Sequence, residues 1–134
     1  MKSLTLENIT RVCGGVYHGS RSLLEKEVSS VTTDSRKVEA DSLFVPIVGE
    51  RVDAHKFIGQ VFENGAAAVL TSRDEIVAEN KPHILVENTE KALGALAVWY
   101  KKRFNIPVIG ITGSVGKTST KEMIAAALSP VYNV

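Results

Sequence analysis

The segment VIGITGSVGKTST, Val108–Thr120, joins an apolar run to a glycine-bearing loop and then to Lys117, Thr118 and Ser119. Glycines let backbone N–H groups turn inward and approach anionic oxygens closely. A helix starting at Lys117 would aim the positive end of its dipole at the same anion. Lys117 can then reach the β- and γ-phosphates of a nucleotide as a point charge. The Thr118 hydroxyl can ligate the magnesium that accompanies them. The general phosphate-loop pattern has a glycine five positions before Gly116, but Ile111 stands there and Gly110 sits one residue early. Gly113 must therefore make the turn. The alternative reading is a glycine-bearing turn that binds nothing. Phosphoryl transfer also requires a second metal-holding acid and a group that orients the acceptor. Neither can be located after Thr118, so the expectation is the front part of a longer enzyme, ending inside its second domain.

Elements on either side must hold this loop in place. Pro107 cannot continue a helix and pushes Ile106 toward extended backbone, which predicts a boundary near residue 105. Beyond it the pattern predicts a strand over 107–112, the loop 113–116 and a helix over 117–129 with Met123, Ile124, Ala127 and Leu128 on one face. Pro130 stops that helix, and VYNV would begin another strand.

Before the boundary, strands and helices alternate, which predicts an α/β domain over 1–104 with parallel strand pairs. Thr5 caps a short helix carrying Leu6, Ile9 and Cys13 on one side and stopped by Gly14-Gly15. EVSSVTTDSRKV reads as a strand ending in a turn near Asp34. SLFVPIVGE reads as a buried strand in which Pro46 marks an edge or an end. Asp53 caps a helix bearing Phe57, Ile58, Val61 and Phe62, closed by Gly65. AAAVLTS and HILVEN are strands. Asn88 or Thr89 then caps a helix lined by Leu93, Leu96, Ala97, Tyr100 and Phe104, whose last turn, Lys101-Lys102-Arg103, complements its dipole.

Composition narrows the class. The chain is 44% hydrophobic and 23% charged with a net charge of +1, so no strong field invites nucleic acid or an anionic membrane. One cysteine cannot staple a fold and suits a reducing compartment. Burial as a small apolar residue fits Cys13 better than a nucleophilic role, since no His or Asn constellation supports the latter. The N-terminus has Glu7, Asn8 and Arg11 where a signal peptide needs an apolar core, and no stretch approaches the ~20 apolar residues of a membrane span. A cytoplasmic, monomeric protein is expected.

TTDSRKV at 32–38, LFVPIVGERVDAHKF at 43–57, GAAAVL at 65–70 and GITGSVGKTSTKEMI at 110–124, taken together, resemble the amino-terminal part of the Mur ligases. These are the ATP-dependent amide ligases that build the bacterial cell-wall peptide. The resemblance implies an α/β fold in which a small mixed sheet flanked by helices, residues 1–104, holds the UDP end of a UDP-sugar-peptide. Residues 105–134 would be the first βα unit of the ATPase domain. It also implies ATP and Mg²⁺ as ligands of the loop. Gly113, Ser114, Val115, Gly116, Lys117, Thr118 and Ser119 would bind ATP, Lys117 and Thr118 would act catalytically, and Thr118 would hold Mg²⁺.

Motif matching carries Thr33, Ser35, Glu50, Arg51 and Val52 onto UDP-substrate contacts of the family. A hydroxyl at Ser35 and a forked donor at Arg51 suit that task chemically. Asp34-Ser35 is also a common turn pair, Arg36 fits a solvated face as well as a ligand contact, Asp53 suits an N-cap and His55 a packed first turn. Two positions depart from the family pattern and bear on loop conformation. Ala54 stands where a Gly usually precedes the His, and Asp41 where a Gly usually precedes the Leu-Phe-Val strand.

Within the family, the Gly-Ser-Val-Gly-Lys-Thr-Ser loop is most similar to the member that joins D-alanyl-D-alanine to UDP-N-acetylmuramoyl-tripeptide. The implied reaction runs through attack of the tripeptide carboxylate on the γ-phosphate and capture of the acyl phosphate by the dipeptide amine. The alternatives are the ligase that adds the third amino acid and, in another class, a stand-alone nucleotide-sugar-binding module.

Overall fold

The computed structural model describes residues 1–134 and divides into two compact units, Met1–Phe104 and Asn105–Val134. The first unit is α/β. Helix α1 (Leu6–Cys13) precedes β1 (Val16–His18), β2 (Val31–Thr32) and β3 (Leu43–Phe44). Helix α2 (Ile58–Glu63) leads to β4 (Ala68–Thr71), and β5 (His83–Leu85) leads to α3 (Thr89–Lys101). The five strands form one mixed sheet in the order β1-β5-β4-β3-β2, parallel except for the antiparallel pair of β1 with β5.

Side chains alternate across this sheet as strand pleating requires. Leu43, Val45, Ala68, Leu70 and Ile84 join Leu6, Ile9, Ala92 and Leu96 in a core beneath α1 and α3. Phe44 and Val69 point the other way and meet Ile58, Val61 and Val77. The layering is therefore helix, sheet, helix.

Caps set the helix ends. The Thr5 hydroxyl accepts the Asn8 N–H at the start of α1, and Gly14 ends it in the left-handed region at φ 62°. Gly15 serves a different purpose. A Cβ there would lie 2.7 Å from Ile84 Cγ2 and 2.8 Å from the Leu85 carbonyl, so the chain leaving α1 can enter β1 beside β5 only with glycine at this position. Gly15→Ala is accordingly expected to destabilise the unit by about 1–3 kcal/mol, read as a lower urea midpoint. Unchanged stability would mean that the helix shifts freely. Cys13 is half-buried and donates its thiol to the Ala92 carbonyl at 3.5 Å. Burial pushes the thiol up to about 11, which leaves it un-ionised at neutral pH.

Of the two readings of Pro46, the strand end holds and the edge does not, because β3 lies between β2 and β4. The strand simply ends at Phe44, and the Pro46 carbonyl accepts the Thr89 hydroxyl at 2.6 Å. Of the expected face of α3, Leu96 is buried and Leu93 and Tyr100 pack half-buried against the same core, while Ala97 and Phe104 are exposed; Thr89 and Ala92 are buried as well. The helix following Asp53 begins as a 3-10 turn, Ala54–Phe57, before becoming α2.

The second unit contains α4 (Lys117–Leu128) as its only regular element. Residues 107–112 and 131–134 form no strand. A strand exists through its hydrogen-bond ladder, and this unit offers no neighbouring strand. Ile124 and Leu128 of α4 are half-buried, while Met123 and Ala127 are exposed, so the expected apolar face is only partly covered within the unit. No helix of the chain is long and apolar enough to cross a membrane.

Candidate functional site

Asp34 organises the first site. It caps the 3-10 turn Ser35–Lys37 by accepting the Arg36 backbone N–H at 3.0 Å. Its two carboxylate oxygens also receive Arg36 Nε and Nη2, each at 2.9 Å. The turn thus folds back on itself at the C-terminal end of β2. Thr33, Asp34, Ser35 and Arg36 form one side of a cleft of about 500 Å³, and Ala54, Phe57 and Gln60 form the other. Clefts at the carboxyl ends of parallel strands are the common ligand position in α/β sheets.

The expected contacts separate into two groups. Thr33 and Ser35 line the cleft. Glu50, Arg51 and Val52 do not. They occupy the exposed tip of a hairpin closed by the Val48–Asp53 bridge and by the Gly49 N–H on the Val52 carbonyl at 2.9 Å. Ala54, Phe57 and Gln60 were not singled out from the sequence as site residues. The signal available was that Phe57 and Gln60 lie three apart and so share one helical face.

Asp53 anchors the hairpin base. Its Oδ1 accepts the His55 backbone N–H at 3.0 Å and meets His55 Nδ1 at 2.7 Å, and its Oδ2 pairs with Arg73 Nη1 at 2.7 Å.

Both aspartates are held below the ordinary aspartate value of ~3.9. The Arg36 side chain first, then the Arg36 backbone N–H, bring Asp34 to about 2. At Asp53 the His55 backbone N–H is the main cause, and together with the His55 ring and Arg73 it outweighs the opposing effect of burial. A carboxyl depressed on folding stabilises the native state above its unfolded pKa, and that stability is lost as pH falls through the folded value. The urea midpoint should therefore fall between about pH 4 and about pH 2, and Asp34→Asn should flatten part of the slope. An identical slope in the variant would refute the assignment of Asp34.

In the second unit, Gly113 (φ 150°) and Gly116 (φ 77°) turn the chain into α4. Gly116 occupies the N-cap, and no side chain caps the helix. The first-turn N–H groups of Lys117, Thr118 and Ser119 consequently have no intrahelical acceptor. Lys117, Thr118 and Lys121 line a cleft of about 280 Å³ with Ile109 and Ile111. Free amides, a dipole end and two cations suit an anion. Ser114 and Val115 lie on the loop, exposed, between the two glycines. The Thr118 hydroxyl is an oxygen donor of the kind Mg²⁺ takes when phosphates and water complete its shell. The residues present therefore fit a phosphate-magnesium group.

A sheet-end cleft closed by a TDSR turn, on a chain that also carries a glycine loop leading into a helix, points to a nucleotide-handling enzyme class. Comparison with known proteins gives the family. A sequence profile described as the Mur ligase family, catalytic domain, matches residues 27–101, a stretch within the first unit. The chain belongs to the Mur ligase family. It is 41% identical over 133 residues to the UDP-N-acetylmuramoyl-tripeptide–D-alanyl-D-alanine ligase of Escherichia coli (strain K12), covering 99% of this chain and 28% of that one. The MurF structure from Acinetobacter baumannii superposes with a TM-score of 0.82 at 35% identity, over 95% of this chain and 28% of its own. The MurF ligase of Thermotoga maritima, solved in complex with ADP, gives a TM-score of 0.65 at 33% identity, over 76% of this chain and 23% of its own. The chain thus spans about 28% of the length of the Escherichia coli and Acinetobacter baumannii relatives.

Proposed function

We propose that this chain carries the UDP-end grip and the phosphate loop of an ATP-dependent ligase that joins D-alanyl-D-alanine to UDP-N-acetylmuramoyl-tripeptide. The observation that carries the reading is the pairing of two different sites on one chain. One is a hydroxyl-lined cleft at the end of a parallel sheet, and the other is an uncapped helix start flanked by lysines.

In the first unit, Thr33 and Ser35 hydrogen-bond the UDP end between the TDSR turn and the Phe57–Gln60 wall. Glu50, Arg51 and Val52 reach the substrate from the hairpin tip. In the second, the amides of 113–119 and the Lys117 ammonium hold the ATP phosphates, and Thr118 holds Mg²⁺. Bound magnesium there supplies charge neutralisation for phosphoryl transfer to the tripeptide carboxylate. Lys117 adds a fixed positive charge where negative charge moves during that transfer. The residues that hold the dipeptide amine lie outside this chain, which alone does not turn over. The reading takes the enzyme to be a cytoplasmic monomer with no nucleic acid or membrane partner.

Calorimetric titration of the chain, with UDP-N-acetylmuramoyl-tripeptide and separately with Mg-ATP, tests the reading. Binding of the UDP compound is expected, with weak or absent ATP binding by a phosphate loop that lacks a surrounding sheet. Tight ATP binding with no response to the UDP compound would overturn the role given to the first unit.

A further inference from the structure

The wall of the cleft formed by Ala54, Phe57 and Gln60 is fixed by a polar network outside the cleft lining. His55 is only 2% exposed. Its Nε2 receives the Ser72 backbone N–H at 3.3 Å and meets the Ser72 hydroxyl at 3.2 Å. A backbone N–H can only donate, so Nε2 carries no proton, and the ring proton must sit on Nδ1. Nδ1–H then donates to Asp53 at 2.7 Å, and the other Asp53 oxygen is held by Arg73.

The network joins the 3-10 turn Ala54–Phe57 to the two residues that follow β4. It bridges the helix layer that faces the cleft and the sheet beneath it. The order Asp, His, Ser does not make a nucleophile here. The Nε2 lone pair is shared with a backbone N–H, and burial leaves no room for a substrate.

We propose that His55, as the neutral Nδ1–H tautomer, is a positioning residue that sets the Ala54–Phe57–Gln60 wall at the distance from Thr33 and Ser35 that a uridine diphosphate requires. This rests on the reading that the cleft takes the UDP end. A short 3-10 turn and a six-residue helix have little intrinsic stability. Their placement therefore depends on what ties them down, and a buried imidazole with both nitrogens engaged ties them at a single point.

The test titrates UDP into the chain and into three variants, with thermal unfolding measured alongside. His55→Phe fills the site but leaves Asp53 and the Ser72 N–H without the ring. It should weaken UDP binding about tenfold or more. His55→Asn restores a donor to Asp53 near the Nδ1 position and should recover part of that loss. Ile9→Ala, buried in the opposite core, should lower the melting temperature at least as much while leaving UDP affinity within about twofold.

Equal affinity in His55→Phe and the parent, or equal losses in Ile9→Ala and His55→Phe, would overturn the proposal. If His55→Phe does not fold, His55→Asn decides, since parent-like affinity there would overturn it as well. Nitrogen-15 NMR of the parent's imidazole supplies a check that does not depend on UDP. It should show Nδ1 protonated, and a proton on Nε2 would sink the idea even if UDP binds. Failure of the parent itself to bind UDP would instead strike the assignment of the cleft.

Discussion

Phe44→Ala is expected to lower the unfolding free energy of the first unit by about 3–5 kcal/mol, the range for truncating a buried aromatic. At ~4–8 °C per kcal/mol for a domain of this size, the melting temperature should fall by at least about 12 °C. Phe44 is fully buried on the interior strand β3, facing α2, where the buried Ile58, Val61, Val69 and Val77 share its core and half-buried residues such as Phe57 and Phe62 pack against it. It is the largest fully buried side chain of that small group. Its removal leaves a cavity on this face that the surrounding side chains fill only in part, so a cost within this range applies. The opposite core is larger and spreads its load over more residues.

The loss should also reach function, because α2 and the turn before it carry Phe57 and Gln60 of the cleft wall. Affinity for the UDP compound should fall in Phe44→Ala more than in Leu70→Ala, which truncates the other face of the sheet. Urea denaturation followed by circular dichroism, paired with titration, measures both. A stability loss below about 1 kcal/mol would mean that the α2 face is loosely packed and cannot hold the wall.

What could be read in the sequence was chiefly what is decided locally. Thr5, Asp53 and Asn88 announce helix starts because their short polar side chains reach the amides two or three residues on. The apolar run at 43–45 announces a strand covered on both faces, and that at 68–70 announces another strand. β1 was missed. It is three residues long and mostly exposed, and it becomes a strand only by pairing with β5, more than sixty positions away in the register Val16–Leu85.

The packed face of α3 was read in part: Leu93, Leu96 and Tyr100 lie on it, but Ala97 and Phe104 do not, because apolar residues cover most of its circumference and periodicity alone does not fix its limits. Asp41 shows the opposite case. A position where the family usually has Gly adopts φ 63°, a region aspartate tolerates better than most residues. It is held there by Lys26 on its carboxylate at 2.6 Å and by its own N–H on the Gly65 carbonyl at 2.9 Å. The departure in sequence therefore sits on the backbone conformation a glycine would favour. At the candidate site, Thr33 and Ser35 were legible through their motif. Phe57 and Gln60 were not, because helical spacing assigns Phe57 to the core and is silent on Gln60. Only the fold shows that this face turns toward the TDSR turn.

Lys117→Ala, made in a full-length ligase carrying this chain, is expected to cut kcat by about 10³-fold or more, while the affinity for the UDP compound stays within about twofold. The size follows from where the charge sits. Removing one preorganised donor from a site of developing charge costs about 10²–10³-fold, and Lys117 brings a full charge as well as a donor. The selectivity follows from the fold, since the cleft proposed for the UDP end is lined entirely by residues 33–60 and Lys117 belongs to the other unit.

Lys117→Arg should rescue poorly. A planar fork cannot replace a compact ammonium at the end of a flexible stem when the phosphate geometry is set by backbone amides. Lys121→Ala, one turn further along α4 in the same cleft, should cost far less, because only the first turn of a helix points its amides at the anion. Thr118→Ala should raise the magnesium concentration needed for half-maximal rate, because it removes the oxygen proposed to ligate the ion and leaves the lysine in place. Retained turnover in Lys117→Ala would remove the phosphate role from this loop. A rate loss matched by an equal loss of UDP affinity would instead mean that the substitution disturbs folding across both units.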